Sequence, residues 1–550
     1  MRFSRRAFGQ AAFAALAGCG ARNSEDLIIH GGPIYTGAAA TPRVEALLVR
    51  DGLIAFAGAL EDARSGARGA REIDLGGAAA FPGFTDAHVH LTGVGMSSMQ
   101  LDLVGVESIA ALRQRLRAYA GDHREGAIVG RGWIETHWPE RRFPTRADLD
   151  AIVGDRPVFL ERIDGHAAVV NSAALALARI DANTPDPAGG RIERDASGAA
   201  TGMLIDNAMS LVTNTLPAPT PAMLREALRT AAQLYASRGW VGICNMSTGH
   251  AEAEHFLALD AANEFPLRVD LYFEPAAADF VRQNTADPAA KVRIRGVKLY
   301  MDGALGSRGA ALLAPYSDMP STSGLLVTPI EELRDHLRRA REGRYQVATH
   351  AIGDRGNREV LDAFRDTFAD EPSALAAARW RIEHAQVIAP QDIPRFAAMG
   401  VIASMQPSHA ITDLHFAPAR LGPARLAGAY AWRTLLQSGA VIAAGSDAPV
   451  EKGDPLIEFY AAAHRHDLSG FAGPDWHLDQ AVSRDEALKM LTWAPAFSVF
   501  DETARGTLEA GKRADISAFS VDLMTAEPAQ IPTAQPVLTV SGGAVSHEAL

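Results

Sequence analysis

From Leu27 the chain alternates short apolar runs with turn residues: Leu27-Ile28-Ile29-His30-Gly31-Gly32, then Ala46-Leu47-Leu48-Val49-Arg50-Asp51-Gly52, then Leu53-Ile54-Ala55-Phe56-Ala57-Gly58. Runs of this length bounded by Gly and Asp-Gly predict β-hairpins. The C-terminus has the same pattern, in Gly511 to Phe519 and Pro536 to Gly543. Two β-rich ends around a long middle predict one small β-sandwich assembled from residues 26–82 and 503–550. Two unrelated β extensions are the alternative.

The middle, residues 83–502, repeats a strand-then-helix rhythm. Apolar strand candidates lie at Ala80 to His88, Trp240 to Met246, Leu267 to Phe273, Gly296 to Met301, Gln346 to His350, Trp380 to His384, Val401 to Gln406 and Val441 to Asp447. Helical patterns at Ile330 to Arg341, Asn357 to Phe368 and Ala429 to Gln437 separate the later ones. Eight such strands with helices between them predict an α/β fold, a (β/α)8 TIM barrel, whose active site lies at the C-terminal strand ends. About 150 residues separate the first two strands, far beyond an ordinary connection. Residues 95–238, with strand patterns of their own at Ala127 to Gly132 and Pro157 to Ile163, are therefore expected to form an inserted subdomain over the barrel mouth.

Composition narrows the function. A chain of 550 residues exceeds what one core usually serves, and 47% hydrophobic content lets it bury a sizeable one. A net charge of -12 without a basic cluster argues against nucleic-acid binding, so a small molecule is the expected partner. The sequence allows a monomer or a homo-oligomer. The first residues differ from the rest: Ser4-Arg5-Arg6-Ala7-Phe8, an Ala-rich apolar run, and Leu16-Ala17-Gly18-Cys19 follow the order of a secretory signal. The paired arginines resemble a twin-arginine export signal, and the last four residues resemble a bacterial lipobox. Residues 1–19 are thus expected to be a signal peptide ending at a lipidated Cys19, giving a periplasmic or outer-membrane-anchored lipoprotein that meets the membrane only through its lipid. Cys244 is the sole remaining cysteine, so no structural disulfide is expected.

The candidate chemistry sits at strand ends. In His88-Val89-His90 the two-residue spacing puts both imidazoles on one face of a strand, where they can turn to one metal. His464-Arg465-His466 has the same spacing on an expected helix, where residues two apart diverge, and reads as ordinary surface or a supporting position. His350, His384 and Asp447 each finish an apolar strand with a metal-binding residue type. Lys298, on an expected buried strand, is an expensive place for a charge. Either it pairs with Asp302 or Asp447, or burial lowers its pKa so that the neutral amine takes up carbon dioxide and the carbamate bridges two metals.

These segments, Pro82 to His90, Val297 to Arg308, Thr349 to Arg355, Arg381 to Gln386 and Gly445 to Val450, resemble the amidohydrolase superfamily, in particular the amidohydrolase family 3 branch that includes N-substituted formamide deformylases. The similarity runs from about Leu27 to the C-terminus. It implies that His88, His90 and Asp447 hold one divalent metal, that His350 and His384 hold another, and that carboxylated Lys298 bridges them. Zinc is the expected ion, at one or two positions. The implied reaction is hydrolysis of a non-peptide C–N bond of a small-molecule amide by metal-activated water, with Asp447 taking the water's proton and returning it to the departing nitrogen. Trp133, His166, Arg308, Gln406 and His409 stand beside these motifs as candidate substrate contacts.

Two alternatives accompany this reading. The nearest alternative is a deaminase or cyclic amidase on the same barrel; deaminases usually carry a Glu three residues after the fifth-strand His, where this chain has Gly353, and they lack the bridging Lys. A non-catalytic binding protein on this barrel is expected to have lost ligands, and here none is missing.

Overall fold

The computed structural model describes residues 25–217, 219–284, 290–473 and 476–550. The expected export signal and Cys19 lie outside the described residues.

Eight strands pair in chain order: β1 (Phe84–Val89), β2 (Trp240–Thr248), β3 (Arg268–Phe273), β4 (Val292–Tyr300), β5 (Gln346–Ala351), β6 (Arg381–His384), β7 (Ile402–Met405) and β8 (Ile442–Ala444). Every pairing between them is parallel. The strands read as apolar runs because a parallel sheet is covered on both faces. Helix α1 (Pro221–Ser237) leads into β2; its start is set by Thr220, whose hydroxyl accepts from the Met223 amide, and by Pro221 in the first turn. It buries Leu228, Ala231, Ala232 and Tyr235 in the barrel's core. Helix α2 (Ile330–Gly343) buries Leu333, Leu337 and Ala340, the stripe that its 3.6-residue period dictates.

No strand ladder joins β8 to β1; the seam closes by individual bonds. The Asp447 amide donates to His88 O at 2.7 Å and the His90 amide to Ala448 O at 2.9 Å. Asp86 accepts from the Ser446 amide at 2.9 Å and from its hydroxyl at 2.6 Å. The approach requires glycine at Gly445, where a Cβ would stand 2.4 Å from the His88 nitrogen.

The single strand expected at Ala80 to His88 is two. Ala79–Pro82 belongs to the sheet of the chain ends and Phe84–Val89 to the barrel. They part at Gly83, where a Cβ would meet the Val241 side chain at 2.4 Å, so the chain crosses from one layer to the other where only glycine fits. Both ends of the chain share one eight-stranded sheet. Its turns Asp51-Gly52 and Gly542-Gly543 meet across a common core that includes Ile29, Leu47, Ile516 and Leu538. Positive φ at Asp51 (52°) and Gly52 (78°) matches the primed turn that Asp-Gly favours. Between β1 and β2 stands a six-stranded sheet, Leu101 to Asp206, with Ile128–Trp133 and Val158–Arg162 among its strands and a core of its own.

Ser517, fully buried on a C-terminal strand, accepts from the Phe84 amide at 2.9 Å and donates to Gly239 O at 2.6 Å, so the terminal sheet braces the starts of β1 and β2. Ser517→Ala leaves both backbone groups buried without that partner. A loss of about 1–3 kcal/mol is expected, read as a lower midpoint in a thermal scan, and an unchanged midpoint would contradict the bracing role.

Candidate metal centre

His88 lies near the end of β1 and His90 directly follows it, and their Nε2 atoms lie 3.4 and 3.3 Å from the same oxygen, Asp447 Oδ1. Ligand atoms around a tetrahedral ion with bonds of about 2.0–2.2 Å stand roughly 3.3–3.6 Å apart, so this spacing fits one ion. Donor atoms of His384, His409 and Asp447 form a second group, all within 4.8 Å of one another. Nitrogen and carboxylate oxygen donors suit zinc and other borderline divalent metals.

Backbone geometry aims two of these groups. Arg381 and Glu383 on β6 share the lumen face, and strand alternation would turn His384 away from it. A φ of 71° at His384 and of 56° at Asp447, uncommon for residues with a Cβ, instead brings both to the cavity at the mouth. Hydrogen bonds then decide which ring nitrogen is free. His88 Nδ1 donates to Glu383 at 2.6 Å, leaving Nε2 toward Asp447. His384 Nδ1 donates to Gln406 Oε1 at 2.8 Å, leaving its Nε2. His350 Nε2 faces Gly303 O at 3.4 Å and Asp302 at 3.5 Å, and its ring centre lies 4.5 Å from that of His384.

The charge states match what a cation requires. Burial, with Lys298 adding to it, lowers His88 to about 4, and burial also holds His350 and His384 well below the ordinary histidine range. Neutral imidazoles are the ligand form. Burial by itself would raise Asp447, but its close approach to His88, the hydrogen bond from His90 and the nearby His384 hold it well below the ordinary carboxylate range. Lys298 is buried and lowered to about 8 by that burial. No carboxylate oxygen lies within 4.0 Å of Nζ among the described residues, so the ion pair with Asp302 or Asp447 is not formed. Nζ instead approaches His88 Nε2 at 3.3 Å and the Tyr300 ring at 4.9 Å.

A cavity of about 750 Å³ opens over these groups, roofed by the inserted sheet through Ile134, Arg162 and His166. His166 Nδ1 bonds Asp206 at 2.8 Å, and its ring centre is 5.7 Å from that of His350. His409 lines the same cavity, and its Nε2, 3.8 Å from Asp447 Oδ2, has no hydrogen-bond partner. The other expected substrate contacts stand elsewhere. Trp133 is packed in the insertion's own core, where its indole donates to Leu160 O at 2.8 Å; its large apolar ring is buried against Trp138 and Phe143 rather than at the cavity. Arg308 is drawn to Asp318 at 2.9 Å, outside the cavity lining. Gln406 touches His384 and orients that ring. In His464-Arg465-His466, the helix ends at His464 and Arg465 is buried over Tyr430, Trp432 and Trp476.

Sequence reasoning missed three supporting carboxylates. Asp86 stands two residues before His88 and Glu383 two residues after Arg381, spacings that signal a shared strand face in each pair. Asp86 is raised to about 7 by burial. Asp206 carries no signal in the sequence; it holds His166 from a backbone at φ 49°.

Residues 71–547 match the Amidohydrolase family. The chain is 35% identical to the putative amidohydrolase YtcJ of Bacillus subtilis (strain 168), over 95% of this chain and 99% of that one. It is 28% identical to the N-substituted formamide deformylase of Arthrobacter pascens, over 95% and 98%. Among solved structures, an uncharacterized metal-dependent hydrolase from Pyrococcus horikoshii OT3 is similar with a TM-score of 0.76 and 29% identity, covering 92% of this chain and 99% of that one. A closed barrel with its donors gathered at the C-terminal mouth agrees with these matches: the chain belongs to the amidohydrolase family and carries the donor set of a metal-dependent hydrolase.

Proposed function

We propose that this protein hydrolyses a non-peptide C–N bond of a small-molecule amide at a divalent metal centre, with zinc as the ion. The convergence of His88, His90 and Asp447 on a spacing that one ion bridges carries the reading. The formamide deformylase among its relatives supports an amide as the substrate class. A bound divalent metal supplies Lewis acidity toward the amide carbonyl and lowers the pKa of water toward neutrality.

The chain's own residues do the rest. Asp447 Oδ accepts a proton from the attacking water and passes it to the departing nitrogen as the C–N bond breaks, so water and amide become acid and amine. The inserted sheet covers the site and limits bulk water, while Ile134, Leu305, Ile411 and Phe416 give the substrate an apolar wall. Lys298 would supply a further carboxylate to the metal centre in this reading: its neutral amine adds to carbon dioxide, forming a carbamate and releasing one proton. Its burial and its place beside His88 Nε2 favour that chemistry. A deaminase is disfavoured on geometry as well as on type, because a Cβ at Gly353 would stand 2.0 Å from Ala311 O and no carboxylate side chain fits there.

Chelation of the purified protein is expected to abolish amide hydrolysis and added zinc to restore it, in a screen over N-formyl, N-acyl amino acid, cyclic amide and ester substrates. Asp447→Asn is expected to lower kcat by about 10²–10⁴-fold. Full activity in a His88→Ala, Asp447→Ala double variant would sink the mechanism. Carboxylation of Lys298 has a pH signature with a definite sign. The amine is protonated and unreactive below its pKa of about 8 and neutral above it, so reconstitution at a fixed concentration of dissolved carbon dioxide is expected to run faster as pH rises toward that value and to level off above it. Lys298→Ala is expected to remove the carbon dioxide dependence, and a wild-type protein indifferent to carbon dioxide would contradict the carbamate.

A further inference from the structure

We infer that the two metal positions are unequal, that His88, His90 and Asp447 form the tight one, and that Glu383 locked by Arg381 makes it so. The inference rests on the metal-centre reading above. It comes from comparing what stands behind each histidine rather than in front of it.

His88 has a full carboxylate at its back: Glu383 Oε2 accepts from Nδ1 at 2.6 Å. That carboxylate is held in place. Arg381 Nε reaches Glu383 Oε1 at 2.8 Å and Arg381 Nη2 reaches Oε2 at 3.0 Å. The same Nη2 donates to Ala87 O at 2.6 Å and to Ser404 Oγ at 2.7 Å, so the guanidinium is tied to β1 and β7 as well as to its own strand. His88, Arg381 and Glu383 have no solvent exposure. A two-bonded Arg–carboxylate pair has a fixed plane, and a ring hydrogen-bonded to it has a fixed tautomer and a fixed orientation.

His384 has a neutral partner, Gln406 Oε1. His350 has a weaker one still, a backbone carbonyl at 3.4 Å. Asp302, 3.5 Å away, already accepts from the amides of Ala311, Ile352 and Gly353 at 2.8–2.9 Å. An anionic acceptor raises the basicity of the ring's other nitrogen more than a neutral amide or carbonyl does. His88 is therefore the most strongly donating and most rigidly held of these three imidazoles. The position it shares with His90 and Asp447 fills first, and the position beside His384 fills second and more weakly. Glu383 and Arg381 are positioning residues in this account, acting through His88.

Titration of the metal-free full-length protein with zinc, followed by calorimetry and by metal analysis after dialysis, tests this without reference to activity. The wild type is expected to retain one metal through dialysis and to bind a second more weakly. Glu383→Gln is expected to weaken the tight step by about 10–100-fold and to leave the weak step in place. Gln406→Leu is expected to do the reverse. Because Glu383→Gln strands the buried Arg381 charge, the double variant Arg381→Met/Glu383→Gln, which removes both charges together, is measured beside it with circular dichroism as the folding control. A tight step unchanged in the folded double variant, or lost in Gln406→Leu instead, overturns the inference while leaving the metal centre standing. A wild type that binds no zinc overturns both.

Discussion

Everything at the barrel mouth depends on the closure of β8 onto β1. The His88, His90 and Asp447 donor group straddles that seam, with the two histidines on one side and Asp447 on the other. No ladder holds the two strands together. The Asp86 carboxylate, the Ser446 hydroxyl and two backbone bonds do so, across a contact that admits no side chain at Gly445. The same bonds that complete the fold set the spacing of the donor atoms, so the site cannot loosen without opening the barrel. Asp86 accepts four hydrogen bonds in a fully buried place, from the His88 and Ser446 amides and the Ser446 and Tyr235 hydroxyls, and burial without a cationic partner is what raises its pKa.

The mouth is also where the chain concentrates charge that a core would otherwise exclude. Lys298, Arg381, Glu383 and Asp447 are all buried. Burying an ion is costly unless geometry and hydrogen bonds compensate. Arg381 and Glu383 compensate one another through paired bonds, and Asp447 is met by the imidazoles around it. Of these four, Lys298 lacks an oppositely charged partner within 4.0 Å among the described residues, and its Nζ lies against His88 Nε2 instead.

The two additions to the barrel have different tasks. The terminal sheet works from below, where Ser517 binds backbone at the starts of β1 and β2. The inserted sheet works from above, bringing His166 and Arg162 to the cavity and holding His166 with Asp206. The barrel keeps its candidate donors at or just past the strand ends and leaves the shape of the cavity to loops and the insertion.

The sequence by itself determined what depends on near neighbours. Two-residue spacing put His88 and His90 on one face, apolar runs ending in His350, His384 and Asp447 marked the strand ends, and Asp51-Gly52 marked a turn. Eight such strands with a long gap after the first were enough to read a barrel with an insertion, and the β patterns near the two ends were read as one small β-sandwich, where the structure joins their strands in one eight-stranded sheet. Only the tertiary structure decided which nitrogen of each ring is free, that Trp133 faces a separate core while His409 faces the cavity, and that the run ending at His88 breaks at Gly83 to change layers. The reason is separation along the chain. Periodicity reports the direction of a side chain from its own strand, but His88 owes its orientation to Glu383, 295 positions away, and no local pattern encodes a partner that closure of the barrel brings into contact.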